Sequence, residues 1–348
     1  MADSYGTPPL TWPISSATAV DATGSPNAGD MNDGPLVSVI MPVHNAADYV
    51  AESVASLLGQ TYTNLELIVV DDGSTDGTSK ALDRFTDKRL IRRSQEYRGV
   101  AEALNHALSL SNGALVARQD ADDVARPDRI ASQVQRFAID ADLSICGTWA
   151  RIIDADGKVI GKHHHPITDA SLKYQLLFDS PFVSSSVMFR FSDKSIRFEG
   201  STSVFEDYDL WSRLARMGKC LNIDEELVDY RVLTTGLSHT TGNSKNRVIE
   251  QRRRNLLAWN GRPDAVIELL SRLGFEHPRI TADQLKAARD LMLRIIQQFP
   301  ANEAERGSLL RDLHQRLLGF HLRARNGAIG KALDRLHKEF ILRTANPA

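Results

Sequence analysis

Apolar positions between residues 35 and 120 alternate between short β-branched runs and segments with helical periodicity. The runs at 36–43, 65–70 and 114–117 have the length of buried strands, and their continuous apolar character is typical of a parallel sheet. The segments between them repeat apolar residues every three or four positions, as on one face of a helix. Strands that alternate with helices predict βαβ units and therefore an α/β fold with a mostly parallel sheet.

Polar residues follow each of these three predicted strands. His44 follows the first strand, residues 71–78 the second and residues 118–123 the third. The carboxyl ends of parallel strands meet at one edge of a sheet, where α/β proteins bind ligands. Asp120 and Asp122 are two positions apart, so an extended backbone directs both carboxylates the same way. A divalent cation shared with a diphosphate would relieve their repulsion; the alternative for an isolated Asp-x-Asp is a solvated acidic turn.

Composition is that of an ordinary soluble globular protein. Hydrophobic residues make up 42% and charged residues 25% of the 348 residues, and the net charge is −2. No apolar run approaches the ~20 residues of a membrane span, and no basic, apolar secretory signal begins the chain. Cys146 and Cys220 are too few for a disulfide framework or a zinc site. We therefore expect a cytoplasmic protein.

The two ends of the chain differ from its middle. Residues 1–34 combine proline with small polar residues and show no periodicity, which predicts a flexible tail. Residues 241–348 are helical in pattern and carry 20 basic against 11 acidic side chains. The sequence thus predicts three parts: the tail, an α/β domain at 35–240 and a helical C-terminal region at 241–348.

Within the C-terminal region, residues 326–342 predict a basic amphipathic helix. Such a helix docks on the protein's own core or on a second subunit, as in a homodimer, or lies on an anionic membrane surface. We favour docking, and keep peripheral contact with the inner face of the cell membrane as the alternative. The arginine run at 252–254 is too short to indicate nucleic-acid binding.

Three blocks of this sequence, in this order, resemble the family 2 glycosyltransferases of the GT-A fold. They are VSVIMPVHN at 37–45, VDDGSTDGT at 70–78, and DADD at 120–123 with PDR at 127–129. The resemblance covers about 35–240 and implies a mostly parallel nucleotide-binding sheet flanked by helices. It also implies inverting transfer of a hexose from a UDP- or dTDP-linked donor to a hydroxyl of a glycan or lipid-linked acceptor.

The resemblance further implies how the donor is held. Asp72 would hold the base, Pro42 and His44 would line the base pocket, and Asp120 would contact the ribose or the metal. Asp122 would coordinate Mg²⁺ or Mn²⁺ that bridges the diphosphate. The complete set expected on the donor nucleotide is Pro42, His44, Asn45, Asp72, Arg98 and Asp120.

A fourth block, FEDYDLW at 205–211, resembles the family's Glu-Asp block, which opens a helix. By that match Asp207 is the general base and Glu206 is a sugar or structural contact. Trp211 is either a core residue or a platform on which a sugar stacks. For this segment alone, acids that complement a helix N-terminus are the alternative.

Some positions depart from the family pattern. Ser184 stands where the family often has histidine, and Leu233 stands where many members have a histidine that serves the diphosphate or metal. His239 lies near enough in sequence to replace it, or is simply a loop residue. The three histidines at 163–165 would point alternately along a strand, which makes a poor site for a single metal.

Two other function classes compete with this interpretation. A sugar-1-phosphate nucleotidylyltransferase shares the sheet type but needs a glycine-rich loop with arginine and lysine after the first strand, which 42–45 does not offer. A non-catalytic nucleotide-sugar or glycan binding module would bind donor, and Asp207→Asn would change nothing beyond that binding.

Overall fold

The structure is a computed structural model that describes residues 34–199, 206–233, 244–262, 264–272 and 281–324. Most of the predicted tail, the predicted helix at 326–342 and His239 lie outside these ranges. Within the described residues, nine strands form a single sheet.

The first part of the sheet follows the predicted alternation of strands and helices. β1 runs parallel to both β2 and β4, and β2 runs parallel to β3. Most side chains of β1 are fully buried, which explains its unbroken apolar run. The elements are β1 (Val37–Val43), α1 (Val50–Leu58), β2 (Leu65–Asp72), α2 (Thr78–Leu82), β3 (Leu90–Gln95), α3 (Val100–Leu110) and β4 (Leu115–Arg118).

The second part of the sheet adds antiparallel pairs. The strand order is β3-β2-β1-β4-β8-β6-β9-β5. The sequence at 144–160 predicts a strand, a turn at 154–157 and a second strand, and β7 indeed pairs with β6 in a hairpin. β8 is antiparallel to its neighbours, whereas β6 and β9 are parallel. The elements are β5 (Val124–Ala125), α4 (Arg129–Ile139), β6 (Leu143–Ile153), β7 (Val159–His163), β8 (Met188–Arg190) and β9 (Lys219–Arg231).

One strand that the sequence predicts forms only in part. The apolar run at 182–190 predicts a continuous strand, but Ser184–Ser186 forms a 3-10 helix and only Met188–Arg190 is extended. The hydroxyl of Ser186 donates to the carbonyl of Val183 (2.8 Å). Such local side-chain bonds compete with strand pairing, which apolar periodicity alone does not reveal.

Contacts divide the described chain into two compact units. The first contains residues 34–165, 182–199 and 214–233, and the second contains 166–181, 206–213 and the described residues after 243. The segments 166–181 and 206–213 thus cluster with the C-terminal helices, although the sequence-based boundary at 240 separates them.

Apolar faces of several helices form the core of the second unit. Leu291 and Ile295 are fully buried at its centre. The sequence TADQ at 281–284 predicts a capping box, and Thr281 and Gln284 form it with reciprocal bonds of 2.9 and 3.2 Å. No helix in the described ranges is both long and apolar enough to cross a bilayer. The helices are α5 (Asp169–Gln175), α6 (Glu206–Met217), α7 (Ser244–Asn260), α8 (Ala265–Ser271), α9 (Ala282–Gln297) and α10 (Glu303–Ala324).

Candidate active site

The loops after β1, β2 and β4 meet at one edge of the sheet in the first unit. Parallel pairing makes these strands direct neighbours, with β1 in the middle. Nδ1 of His44 donates to the carbonyl oxygen of Asp72 (2.7 Å), which joins the first two loops. The hydroxyl of Ser53, on α1, donates to the carbonyl oxygen of Asp120 (3.1 Å). The predicted donor residues on these three loops therefore share one site.

The carboxylate of Asp72 is almost fully buried, with 2% of the residue exposed. It accepts hydrogen bonds from the backbone N–H of Arg98 (2.9 Å) and of Gly99 (2.7 Å). It also accepts one from the side-chain amide of Gln95 (2.8 Å), whose oxygen faces His106 at 2.8 Å. Asp72 thus holds the loop before α3. Because a carboxylate offers about four acceptor positions, three bonds leave room for one more.

Asn45 connects the first two loops to each other. Its backbone has a positive φ of 50°, a conformation that asparagine tolerates better than most residues. Its side-chain oxygen accepts from the backbone N–H of Thr75 (2.8 Å), and its backbone N–H donates to the hydroxyl of Ser74 (2.9 Å). These contacts give Asn45 a structural role. Its contact with the donor nucleotide stays a prediction.

The negative charge of Asp120 is balanced by a neighbouring arginine, and its backbone is held by a serine. One of its carboxylate oxygens accepts from Nε (3.2 Å) and Nη2 (3.0 Å) of Arg118. Its backbone N–H donates to the hydroxyl of Ser185 (2.9 Å), in the 3-10 helix. The segment that carries Ser184 therefore shapes this site through its neighbour Ser185, which sequence reasoning missed.

Asp122 and Asp123 stand in an environment that disfavours negative charge. Burial and, next, the charge of Asp120 raise the pKa of Asp122 to about 6, while Arg231 opposes this. Burial and the charge of Asp122 hold the pKa of Asp123 well above its usual range. Three acids in one turn therefore carry more negative charge than their surroundings balance, and a bound cation would stabilise them.

Arg231, at the end of β9, secures this turn and was missed as a site residue. It is only 4% exposed. Its guanidinium donates to the carbonyl oxygen of Asp122 (2.8 Å), to those of Asp154 (3.1 Å) and Ala155 (3.0 Å), and to the carboxylate of Glu52 (2.7 Å). Because β9 also carries other charged residues, among them Asp224, Glu225 and Asp229, no local pattern in the sequence marks Arg231.

A second buried arginine supports the same turn from the core side. Arg129 is fully buried, and burial lowers its pKa to about 9. It donates to the side-chain oxygen of Gln119 (2.8 Å) and to the carbonyl of Arg118 (2.8 Å). Gln119 in turn donates to the carbonyl of Asp123 (3.0 Å). The turn is thus fixed by buried polar bonds, which makes its geometry stiff.

The donor set of the turn fits a hard divalent cation. Asp120 and Asp122 offer carboxylate oxygens, the ligands that Mg²⁺ and Mn²⁺ prefer. No cluster of three histidines, cysteines or acids with metal-binding geometry occurs in the described ranges. Mg²⁺ is commonly held by one or two carboxylates together with substrate phosphates. Since Asp120 already binds Arg118, Asp122 is the firmer candidate ligand.

The histidine run at 163–165 alternates as the sequence predicts. The rings of His163 and His165 stack at 5.5 Å between centroids. His164 instead stacks on Trp149 at 4.1 Å and faces the carboxylate of Glu226 at 2.8 Å. The three rings do not converge, which agrees with the interpretation that they do not form one metal site.

The residues predicted on the sugar and acceptor side belong to α6 in the second unit. Asp207 is half-buried, and its carboxylate accepts from the backbone N–H of Tyr208 (2.7 Å). Glu206 is buried, and Trp211 is 0% exposed. A fully buried indole presents no face to a sugar, so this burial favours the core interpretation of Trp211 over a stacking platform.

Comparison of solved structures supports the predicted fold. The crystal structure of S. aureus TarS 1-349 in complex with UDP-GlcNAc has a TM-score of 0.57 at 16% identity. The match covers 87% of this chain and 92% of that chain. The prediction of a GT-A fold, with a mostly parallel sheet flanked by helices and helices at the C-terminal end, is confirmed.

Sequence comparison identifies the family. The model of "Glycosyl transferase family 2" matches residues 38–197. An uncharacterized glycosyltransferase of Haemophilus influenzae is 31% identical over 243 residues, which are 66% of this chain and 75% of that protein. The O-antigen biosynthesis glycosyltransferase WbnJ of Escherichia coli is 33% identical over 207 residues, 57% of this chain and 80% of that protein. This chain is therefore a glycosyltransferase that belongs to family 2.

Proposed function

We propose that the protein transfers a hexose from a UDP- or dTDP-linked donor to an acceptor hydroxyl, with inversion at the anomeric carbon. The observation that carries this proposal is the placement of Asp72 at the end of β2 and of Asp120 and Asp122 after β4, the two parallel strands that flank β1. A base-binding carboxylate on one loop and a metal-binding pair on another suit the two ends of a nucleoside diphosphate.

A divalent cation held by Asp122, with Asp120 beside it, would neutralise the charge that develops on the leaving diphosphate. The protein's own residues position that carboxylate. Arg231 fixes the backbone at Asp122, and the network around Gln119 fixes the backbone at Asp123. A ligand held stiffly in place stabilises the transition state without first having to reorganise.

Asp207 is the proposed general base. A hydroxyl is a poor nucleophile until its proton is removed, and a positioned carboxylate contributes a factor on the order of 10²–10⁴. Asp207 lies in the first turn of α6 and is only half-buried, so an acceptor hydroxyl can approach its carboxylate.

The proposed acceptor is a growing glycan, free or lipid-linked, in polysaccharide biosynthesis. Support comes from the names of similar proteins: WbnJ acts in O-antigen biosynthesis, and a putative teichuronic acid biosynthesis glycosyltransferase of Bacillus subtilis is 29% identical over 209 residues.

The donor class can be tested by calorimetric titration of the whole chain with UDP, dTDP, GDP and CMP in the presence of Mn²⁺. We expect UDP or dTDP to bind at least tenfold more tightly than GDP and CMP. Equal affinity for all four nucleotides, or preference for GDP or CMP, would contradict the proposed donor.

A further inference from the structure

An exposed tyrosine stands beside the site, in the loop between β3 and α3. Tyr97 is 65% exposed, and it is the one aromatic residue among the exposed large hydrophobic side chains of the described ranges. Its ring lies 4.7 Å from that of His44 between centroids, tilted by 47°. Exposing so much aromatic surface costs free energy, which a ligand that covers it would offset.

The backbone under Tyr97 is held firmly although its side chain is exposed. The next two residues, Arg98 and Gly99, donate their N–H groups to the buried carboxylate of Asp72. Gly73, which has a positive φ of 71°, lies so close that a Cβ there would stand 2.8 Å from the backbone nitrogen of Tyr97. The loop carrying Tyr97 therefore depends on residues 72 and 73, within the block that resembles the base-binding motif.

Together the two rings form an aromatic surface directly next to Asp72. His44 is anchored there by its bond to the Asp72 carbonyl. The loop that carries Tyr97 is held there by the backbone N–H groups of Arg98 and Gly99, which donate to the Asp72 carboxylate. With centroids only 4.7 Å apart the rings touch, so a flat ligand packs across them and not between them. The flat component of a nucleoside diphosphate is its base.

We propose that Tyr97 is a nucleobase contact, whose ring packs against the base of the bound donor. This inference rests on the proposed function. Base–aromatic stacking is independent of the metal, so Tyr97 adds affinity for the nucleoside and none for the phosphates. The phenol ring supplies the contact, whereas its hydroxyl group is dispensable.

The test compares binding of UDP, or of dTDP if the wild type prefers it, by the wild type, Tyr97→Ala and Tyr97→Phe. Stacking of one base predicts that Tyr97→Ala raises Kd about tenfold and that Tyr97→Phe stays within about twofold of the wild type. Ile139→Ala is the matched control, because Ile139 is an exposed apolar residue at the end of α4. It should leave Kd unchanged.

Mn²⁺-dependent binding of pyrophosphate, which has no base, separates a base contact from general damage to the site. Tyr97→Ala should bind pyrophosphate as the wild type does. Equal UDP affinity in the wild type and Tyr97→Ala, or loss of pyrophosphate binding together with UDP, would overturn this inference and leave the proposed function standing. Failure of the wild type to bind UDP or dTDP would overturn both.

Discussion

The guanidinium of Arg231 donates a hydrogen bond to the carbonyl oxygen of Asp122 across 2.8 Å, although 109 positions separate the two residues in sequence. The backbone N–H of Arg231 also donates to the carboxylate of Asp123 (2.7 Å). β9, the last strand in the sequence, thus holds the acidic turn at 120–123 in position. This relationship makes the candidate metal ligand dependent on a residue outside the recognised motifs.

Replacing Arg231 by lysine should destabilise the fold and weaken metal-dependent donor binding. Lysine keeps the charge but cannot reach several carbonyl oxygens at once. Loss of buried charged hydrogen bonds should lower the free energy of unfolding by about 3 kcal/mol. Urea denaturation measures this change. The control is Arg254→Lys, since Arg254 is an exposed partner of Glu250 and should stay within about 0.5 kcal/mol of the wild type.

The contribution of Asp122 to the stability of the metal-free protein should fall as pH rises from about 4 to about 6. The pKa of Asp122 is raised from 3.8 to about 6 by burial and by Asp120, so the folded state keeps this proton at a pH where the unfolded state has released it. At this site the folded state therefore binds more protons in this window, and the contribution of Asp122 to the free energy of unfolding falls as pH rises through it.

Thermal melting of the metal-free protein across this pH range checks that expectation. Asp122→Asn should show a smaller fall in Tm than the wild type, because one of the groups responsible no longer titrates. Asp156→Asn, a change in the exposed hairpin turn, should keep the wild-type slope. An identical dependence of Tm on pH in the wild type and Asp122→Asn would contradict the assigned environment of Asp122.

Asp72→Asn should loosen the loop that carries Tyr97. The carboxylate accepts three N–H groups, and an amide would turn a donor toward at least one of them. Amide hydrogen exchange at Arg98 and Gly99 should become faster, with a loss of about 2 kcal/mol in global stability. Exchange in the buried strand β4 serves as the internal reference. Unchanged protection at both amides would show that Asp72 does not hold this loop.

Asp207→Asn should abolish most turnover and keep donor binding. Asparagine cannot accept the proton of the acceptor hydroxyl, so kcat should fall by a factor on the order of 10²–10⁴. The Kd for the donor nucleotide should stay within about twofold, since a base that acts only on the acceptor adds nothing to that binding. Transfer at the wild-type rate would mean that another group is the base.

Much of the sheet could be predicted because the patterns that indicate its strands lie within short stretches of sequence. Continuous apolar runs identified β1, β2 and β4, and the polar residues after them indicated a candidate site at their carboxyl ends. The β6–β7 hairpin was equally visible from its turn at 154–157, where Gly157 has a positive φ of 82°.

The residues that hold the site in place could not be predicted, because the residues to which they bind are distant in sequence. Ser185 reaches Asp120 across 65 positions, and Arg231 reaches Glu52 across 179. Motif resemblance indicates which side chains meet a ligand, but buried hydrogen bonds to backbone carbonyls follow from how the strands are ordered. The placement of β8 between β4 and β6, with both pairs antiparallel, was likewise beyond the sequence pattern.

We infer that Asp122 holds a divalent cation that a nucleoside diphosphate shares. Calorimetric titration with UDP and dTDP, each with and without Mn²⁺, tests it on the wild type, Asp122→Ala and the control Asp156→Ala. We predict Mn²⁺-dependent binding of one of these nucleotides in the wild type and the control, lost in Asp122→Ala. Binding that needs no Mn²⁺, or that survives unchanged in Asp122→Ala, would contradict the role of Asp122 as a ligand of that cation.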